Sequence, residues 1–187
     1  MNKKTLALTT EQYQEIINTM RTGFTGCRQN NRIATALVIE ANLGLRISDI
    51  LKLKLSDIIK DGDRYRLDIT EQKTGKGRTF TVPIEIYNYI KIYCLESEIK
   101  AHETIFPITE RSIQKQLKLV CDHLELDGIS THSFRKYFAT QIYINNDFNI
   151  VLVQQLLQHS TPAVSQKYIG IQPKAIENAL QKHICLM

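Results

Sequence analysis

The chain has 187 residues, 43% of them hydrophobic, with 24 Lys and Arg against 19 Asp and Glu for a net charge of +5. That is the length of one typical domain with enough apolar residue for a real core, which excludes a wholly disordered chain. The four cysteines, at 27, 94, 121 and 185, form no CxxC pair, so no zinc ribbon or disulfide framework is indicated; no segment has the ~20 apolar residues of a membrane helix, nor does the start have the apolar run of a secretory signal. These features predict a cytoplasmic protein with reduced thiols.

Thr9 and Thr10, with Gln12 three residues after Thr9, form a capping-box start for a first helix that Gly23 stops. A second helix is predicted over 30–43, where Ile33, Ala34, Leu37, Val38 and Ala41 recur at three and four residues and Gly44 ends the run. Ser48 is placed to cap a short third helix reaching about residue 53. The period then becomes two. Residues 57–59, 64–70 and 78–82 alternate polar and apolar side chains. Lys60-Asp61-Gly62-Asp63 and Thr74-Gly75-Lys76-Gly77 separate them, which predicts a three-stranded antiparallel meander with two tight turns. Pro83 suits the first turn of a helix over 83–99. Further helices are predicted over 109–125, 131–145, 148–157, 162–168 and 173–183. No low-complexity tract, repeat or interdomain linker interrupts them. The expected fold is one compact domain, mostly α with a small antiparallel three-stranded sheet (α+β).

The charge is unevenly spread, and its mild basic excess fits an anionic partner. Residues 81–110 hold Lys91 and Lys100 against glutamates 85, 96, 98, 103 and 110, a solvated face expected away from any polyanion. Residues 111–120 hold Arg111, Lys115 and Lys118 and no acid. These three lie on one helical stripe opposite Ile113, Leu117 and Val120, which fits either an ordinary solvated face or a helix pressed on DNA phosphates.

Taken in chain order, Gly44-Leu45-Arg46-Ile47-Ser48-Asp49, Lys73 in the hairpin, His132-Ser133-Phe134-Arg135, Leu157-Gln158-His159 and Lys167-Tyr168 give Arg, Lys, His-x-x-Arg, His and Tyr. In this ordered set the chain resembles the catalytic domain of the tyrosine recombinases, the phage-integrase family, from about Thr9 to the end. The resemblance implies that family's catalytic-domain fold. It also implies site-specific cleavage and rejoining of duplex DNA by transesterification, through a 3′-phosphotyrosyl intermediate.

The set is chemically coherent for phosphoryl transfer without a metal or nucleotide cofactor. Two arginines, Arg46 and Arg135, can clamp the non-bridging oxygens with forked donors that stay charged at any working pH. Tyr168 is the implied nucleophile. A phenol of pKa about 10 is ionised in only about one molecule in a thousand at pH 7, a deficit of roughly 4 kcal/mol that a nearby base and cations must offset. The resemblance assigns part of that task to His132, a phosphate-oxygen contact to His159, and protonation of the leaving 5′ oxygen to Lys73. Lys76 and Arg78 are read as DNA contacts, as are Arg111, Lys115 and Lys118.

Each residue alone also has an ordinary reading. Arg46 could cap a helix end, Lys73 is one of several turn lysines, His159 could be a helix C-cap, and Tyr168 is one of eight tyrosines. Asp49 either caps the short third helix or orients His132 or Arg46. Asp57, Asp61, Asp63 and Asp68 mostly line a hairpin turn and make a poor metal site. One departure stands out: Gln158 occupies the place where the family usually has glycine, which suits Gln only if its φ is negative.

The resemblance further implies attachment or inversion sites in double-stranded DNA, a tetramer assembled on that DNA, accessory DNA-bending proteins, and no membrane partner. A helix over 173–183 would dock on a neighbouring protomer. The chain begins almost at the catalytic domain's first helix, so an N-terminal core-binding domain is expected to be absent, in a fragment or a minimal recombinase. Two alternatives share the fold or the chemistry: a non-catalytic DNA-binding remnant, and a type IB topoisomerase-like nicking-closing enzyme.

Overall fold

Thr9 starts the first helix, α1 (Thr10–Thr22), through a full capping box: its Oγ1 accepts from the Gln12 amide at 3.2 Å, and its own amide donates to Gln12 Oε1 at 3.0 Å. Asn30 caps α2 (Asn31–Leu43) by accepting from the Ile33 amide. Gly44 closes α2 at φ +59, a left-handed conformation that glycine adopts without strain. A Cβ at this position would stand 2.3 Å from the Phe138 ring, so the glycine also permits a close approach. The computed structural model describes residues 5–73, 75–169 and 181.

The third helix, α3 (Ile47–Ile50), begins directly after Arg46 with no side-chain cap, so Ser48 lies inside it instead of ahead of it. A 3₁₀ turn at Leu55–Asp57 leads into β1 (Ile58–Asp61), β2 (Arg64–Thr70) and β3 (Gly77–Val82), an antiparallel meander in that order. Asp61 pairs with Arg64 across the tight Gly62-Asp63 turn, where Gly62 has φ +62. The second connection is one residue shorter than the predicted strand ends leave, because β3 starts at Gly77. Thr70 pairs with Gly77, and residues 71–76 are closed by the Glu71 amide on the Lys76 carbonyl and the Gly75 amide on the Glu71 carbonyl, both at 2.9 Å.

Five more helices follow: α4 (Ile84–Glu96), α5 (Glu110–His123), α6 (Thr131–Asn145), α7 (Ile150–Leu157) and α8 (Pro162–Ile169). α4 stops short of 99 because the Ile99 amide turns back to the Cys94 carbonyl with Glu98 left-handed (φ 55). Apart from residue 181, the helix expected over 173–183 lies outside the described residues, as does Cys185.

The chain forms two compact units, Met1–Phe138 and Ala139–Met187. In the first, α1 packs on α2 and α5, and α2 packs on α4. Its core joins Ile16 and Met20 of α1, Leu37 and Ile39 of α2, Leu67 of β2, Ile90 of α4, Ile113 and Leu117 of α5 and Phe134 of α6. Each such side chain contributes about 1.5–3 kcal/mol by leaving water. In the second unit α7 packs on α8, with Val153, Leu157 and Ile169 buried. Cys27, Cys94 and Cys121 are buried free thiols. No helix among the described residues is long and apolar enough to cross a membrane.

Candidate active site

Arg46 is launched from the short link between the end of α2 and the start of α3. Its side chain lines a groove of about 360 Å³ in the first unit, together with Ser48, Gln72, Lys73, Glu110 and His132. Three of the predicted catalytic residues, from the α2–α3 link, the β2–β3 loop and the first turn of α6, therefore share one cavity. Glu110, the first residue of α5, is the one carboxylate among the described residues that line it. That corrects the expectation that the whole acidic stretch 81–110 faces away from the site.

His132 is solvent-accessible in the groove. Its pKa lies below the ordinary imidazole value, first through partial burial and then through the charges of Arg135, Lys73 and Arg46, with Glu110 opposing. The neutral, proton-accepting ring is thereby favoured. One helical turn later Arg135 is only 3% exposed, and its Nη1 donates to the Gly44 carbonyl at 2.5 Å. Glu40, four residues before Gly44 on α2, is fully buried, and neither carboxylate oxygen has a hydrogen-bond partner. Burial pushes its carboxyl well above the usual range; the charge of Arg135 opposes the shift and Glu110 reinforces it.

The loop carrying Lys73 is fastened from below by two carboxylates. Asp49, itself 5% exposed, accepts from the Gln72 amide through Oδ1 at 2.9 Å. Its bond thus goes to the hairpin loop, and neither of the roles expected for it, cap or partner of His132 or Arg46, is the one it takes. Glu71 is 1% exposed; its Oε2 binds Arg46 Nη1, and its Oε1 lies 3.6 Å from Arg78 Nη1. Arg78 is the clearest correction at the site. Read as a DNA contact, it is instead turned inward at 4% exposure, with its guanidinium 4.7 Å from the Phe80 ring centre. Burial above all lowers its pKa to about 10, against the pull of Glu71, so it stays charged at neutral pH. The signal for both residues was present in the strand period: Arg78 shares a face with Phe80 and Val82, and Glu71 continues the face of Leu67 and Ile69.

The other two predicted catalytic residues belong to the second unit. α7 ends in a Schellman turn, in which the His159 amide donates to the Gln154 carbonyl and the Gln158 amide to the Gln155 carbonyl. Gln158 itself sits at φ 54, ψ 38. The negative φ that would have made glycine dispensable is therefore not adopted. His159 Nδ1 lies 3.0 Å from Oγ of the fully buried Ser165, one turn before Tyr168 on α8, and the His159 and Tyr168 rings meet edge-to-face at 5.1 Å. Ser165, which sets the imidazole orientation, was not singled out by the sequence.

On α5, Arg111, Lys115 and Lys118 are exposed, and Ile113, Leu117 and Val120 are buried, as the stripe predicts. Lys118 is paired with Asp122 at 2.7 Å. Lys76 is exposed in the β2–β3 loop. Among the described residues no cluster of three or more His, Cys, Asp or Glu is arranged to hold a metal.

The sequence model of the phage integrase family matches residues 7–174. The chain belongs to the phage integrase family. It is 31% identical over 154 residues to the "Probable integrase/recombinase YoeC" of Bacillus subtilis, covering 76% of this chain and 80% of that protein. It is 32% identical over 149 residues to an Acholeplasma phage L2 integrase/recombinase, covering 75% of this chain but only 48% of the relative. Among solved structures, the catalytic domain of bacteriophage HP1 integrase matches with a TM-score of 0.67 at 20% identity over 96% of both chains. The XerH recombinase bound to its difH substrate matches with a TM-score of 0.70 at 20% identity, over 96% of this chain and 54% of that one. The phage-integrase chain thus has the tyrosine recombinase catalytic-domain fold, mostly helical with one small antiparallel sheet.

Proposed function

We propose that this chain, acting over residues 1–187 as one catalytic domain, cleaves and rejoins duplex DNA by transesterification through Tyr168. The observation that carries the reading is the groove in which Arg46, Lys73 and His132 converge. A phosphodiester gripped by Arg46 and Arg135 gathers negative charge as it is attacked, and forked, permanently charged donors stabilise that charge. The Tyr168 hydroxyl attacks phosphorus while its proton passes to His132, whose lowered pKa keeps it neutral and receptive. The P–O5′ bond breaks, and the departing oxygen takes a proton from Lys73. His159, oriented by Ser165, contacts a phosphate oxygen. The 3′-phosphotyrosyl bond conserves the energy of the phosphodiester, so a second strand's 5′ hydroxyl can displace Tyr168 with no nucleotide cofactor. Arg111, Lys115 and Lys118 supply phosphate contacts along α5 and Lys76 supplies one from the hairpin. Four strand exchanges require a tetramer on DNA, aided by DNA-bending proteins.

The test uses a pool of nicked duplex oligonucleotides randomised across the site. The intact chain is expected to form an SDS-resistant protein–DNA adduct that is lost in Tyr168→Phe. Sequence-specific binding without any adduct would replace this reading with the DNA-binding remnant. Relaxation of supercoiled plasmid without recombinants would replace strand exchange with topoisomerase-like nicking and closing.

A further inference from the structure

The buried Glu71 is not one of the residues that the transesterification reading uses, yet it is the side chain through which Arg46 is held. We propose that Glu71 is a positioning residue that aims Arg46 at the scissile phosphate; this inference rests on the function proposed above.

Three observations carry it. First, Glu71 is 1% exposed and its Oε2 binds one terminal nitrogen of Arg46, while the rest of the Arg46 side chain, 19% exposed, opens onto the groove. A guanidinium has five donors in a rigid plane, so fixing one terminal nitrogen fixes the direction in which the others point. Second, Glu71 is itself immobilised. Its amide and carbonyl close the 71–76 loop through Lys76 and Gly75, and Oε1 lies 3.6 Å from the buried Arg78. Third, the charges are unequal in number. Arg46, Arg78 and Arg135 act on one another together with the two carboxylates Glu71 and Asp49, so the cluster keeps a net positive charge even with both acids ionised, and Arg46 remains able to attract a phosphate. Without Glu71, Arg46 would sample several rotamers, and its phosphate grip would have to be assembled anew in each encounter.

Removing Glu71 alone strands the buried charge of Arg78, which endangers folding. The informative variant is therefore the double substitution E71M/R78M, which replaces the inner pair with side chains suited to the Phe80 and Val82 face. Adduct formation is measured on the sequence recovered from the randomised pool, beside the thermal midpoint. The double variant is expected to retain a cooperative thermal transition and to form adduct about 10²-fold more slowly, the scale of losing one preorganised donor. E71Q/R78M keeps an acceptor for Arg46 and is expected to recover most of that loss. A 5′-bridging phosphorothiolate, whose sulfur leaves without a proton, is expected to rescue Lys73→Ala but not E71M/R78M.

Adduct formation by a folded E71M/R78M within about threefold of the unaltered chain would overturn the proposal. So would rescue of that variant by sulfur, because Glu71 would then act on the Lys73 loop and not on Arg46. If the unaltered chain forms no adduct, the functional reading itself fails and this inference falls with it. If the unaltered chain is active and both double variants match it, the inference alone fails.

Discussion

The guanidinium of Arg135 donates to the backbone carbonyl of Gly44 over 2.5 Å, two residues before Arg46. One main-chain group thus ties the first turns of α6 to the α2–α3 link, and so relates the two arginines assigned to the phosphate. Helix-end carbonyls lack intrahelical partners and carry partial negative charge, which makes Gly44 a natural acceptor for a buried cation.

Gly44 allows this only as glycine. Its φ of +59 and the Phe138 ring leave no room for a Cβ. Gly44→Ala is expected to lower stability by roughly 2–5 kcal/mol, the sum of left-handed strain and overpacking. Urea denaturation checks this; an unchanged midpoint would show that α2 can end differently.

The lowered pKa of His132 has a definite consequence for acid stability. A folded-state value below the unfolded value of about 6.5 means that the unfolded chain binds the proton more readily, so stability is lost as pH falls below about 6.5. His132→Ala is expected to lose less stability than the unaltered chain between about pH 7 and pH 5. Parallel denaturation series over that range measure the difference, and identical slopes would refute it.

Glu40 works in the opposite direction. Its folded-state pKa is raised, so burying it costs more as pH rises above the ordinary carboxyl value of about 4.3. With neither oxygen hydrogen-bonded, Glu40→Met is expected to stabilise the protein at pH 7 by on the order of 1–3 kcal/mol. The gain should shrink toward pH 4. A gain independent of pH would mean that packing, and not the buried carboxyl, is responsible.

Gln158 holds a left-handed φ at the Schellman position of α7. Gln158→Gly is expected to raise stability by about 1 kcal/mol, while Gln158→Ala, with the same Cβ, should bring no such gain. Equal effects of the two substitutions in chemical denaturation would contradict the strain argument.

The elements were legible where local chemistry sets them: the Thr9 capping box, the Gly44 stop, and the Gly62 turn each form as their residues dictate. The groove residues were legible as an ordered motif, but their supports were not. Arg78 reads from sequence as a DNA contact and Glu71 is not singled out, because charged residues seldom point inward, although the strand alternation places both on the inner face. Asp49 reaches the Gln72 amide across a gap of 23 positions in the chain, a pairing that no local pattern encodes. Ser165 looked like any helix serine, since its value comes from the imidazole beside it.

The most direct measurement of the central claim is the chemical identity of the protein–DNA linkage. The covalent complex is trapped on a nicked duplex, digested with protease, and the DNA-bound peptide is sequenced by mass spectrometry. The expected linkage is a phosphodiester between Tyr168 and a DNA 3′ phosphate, with a free 5′ hydroxyl on the released strand. Linkage through another residue, or a bond to a 5′ phosphate, would contradict it.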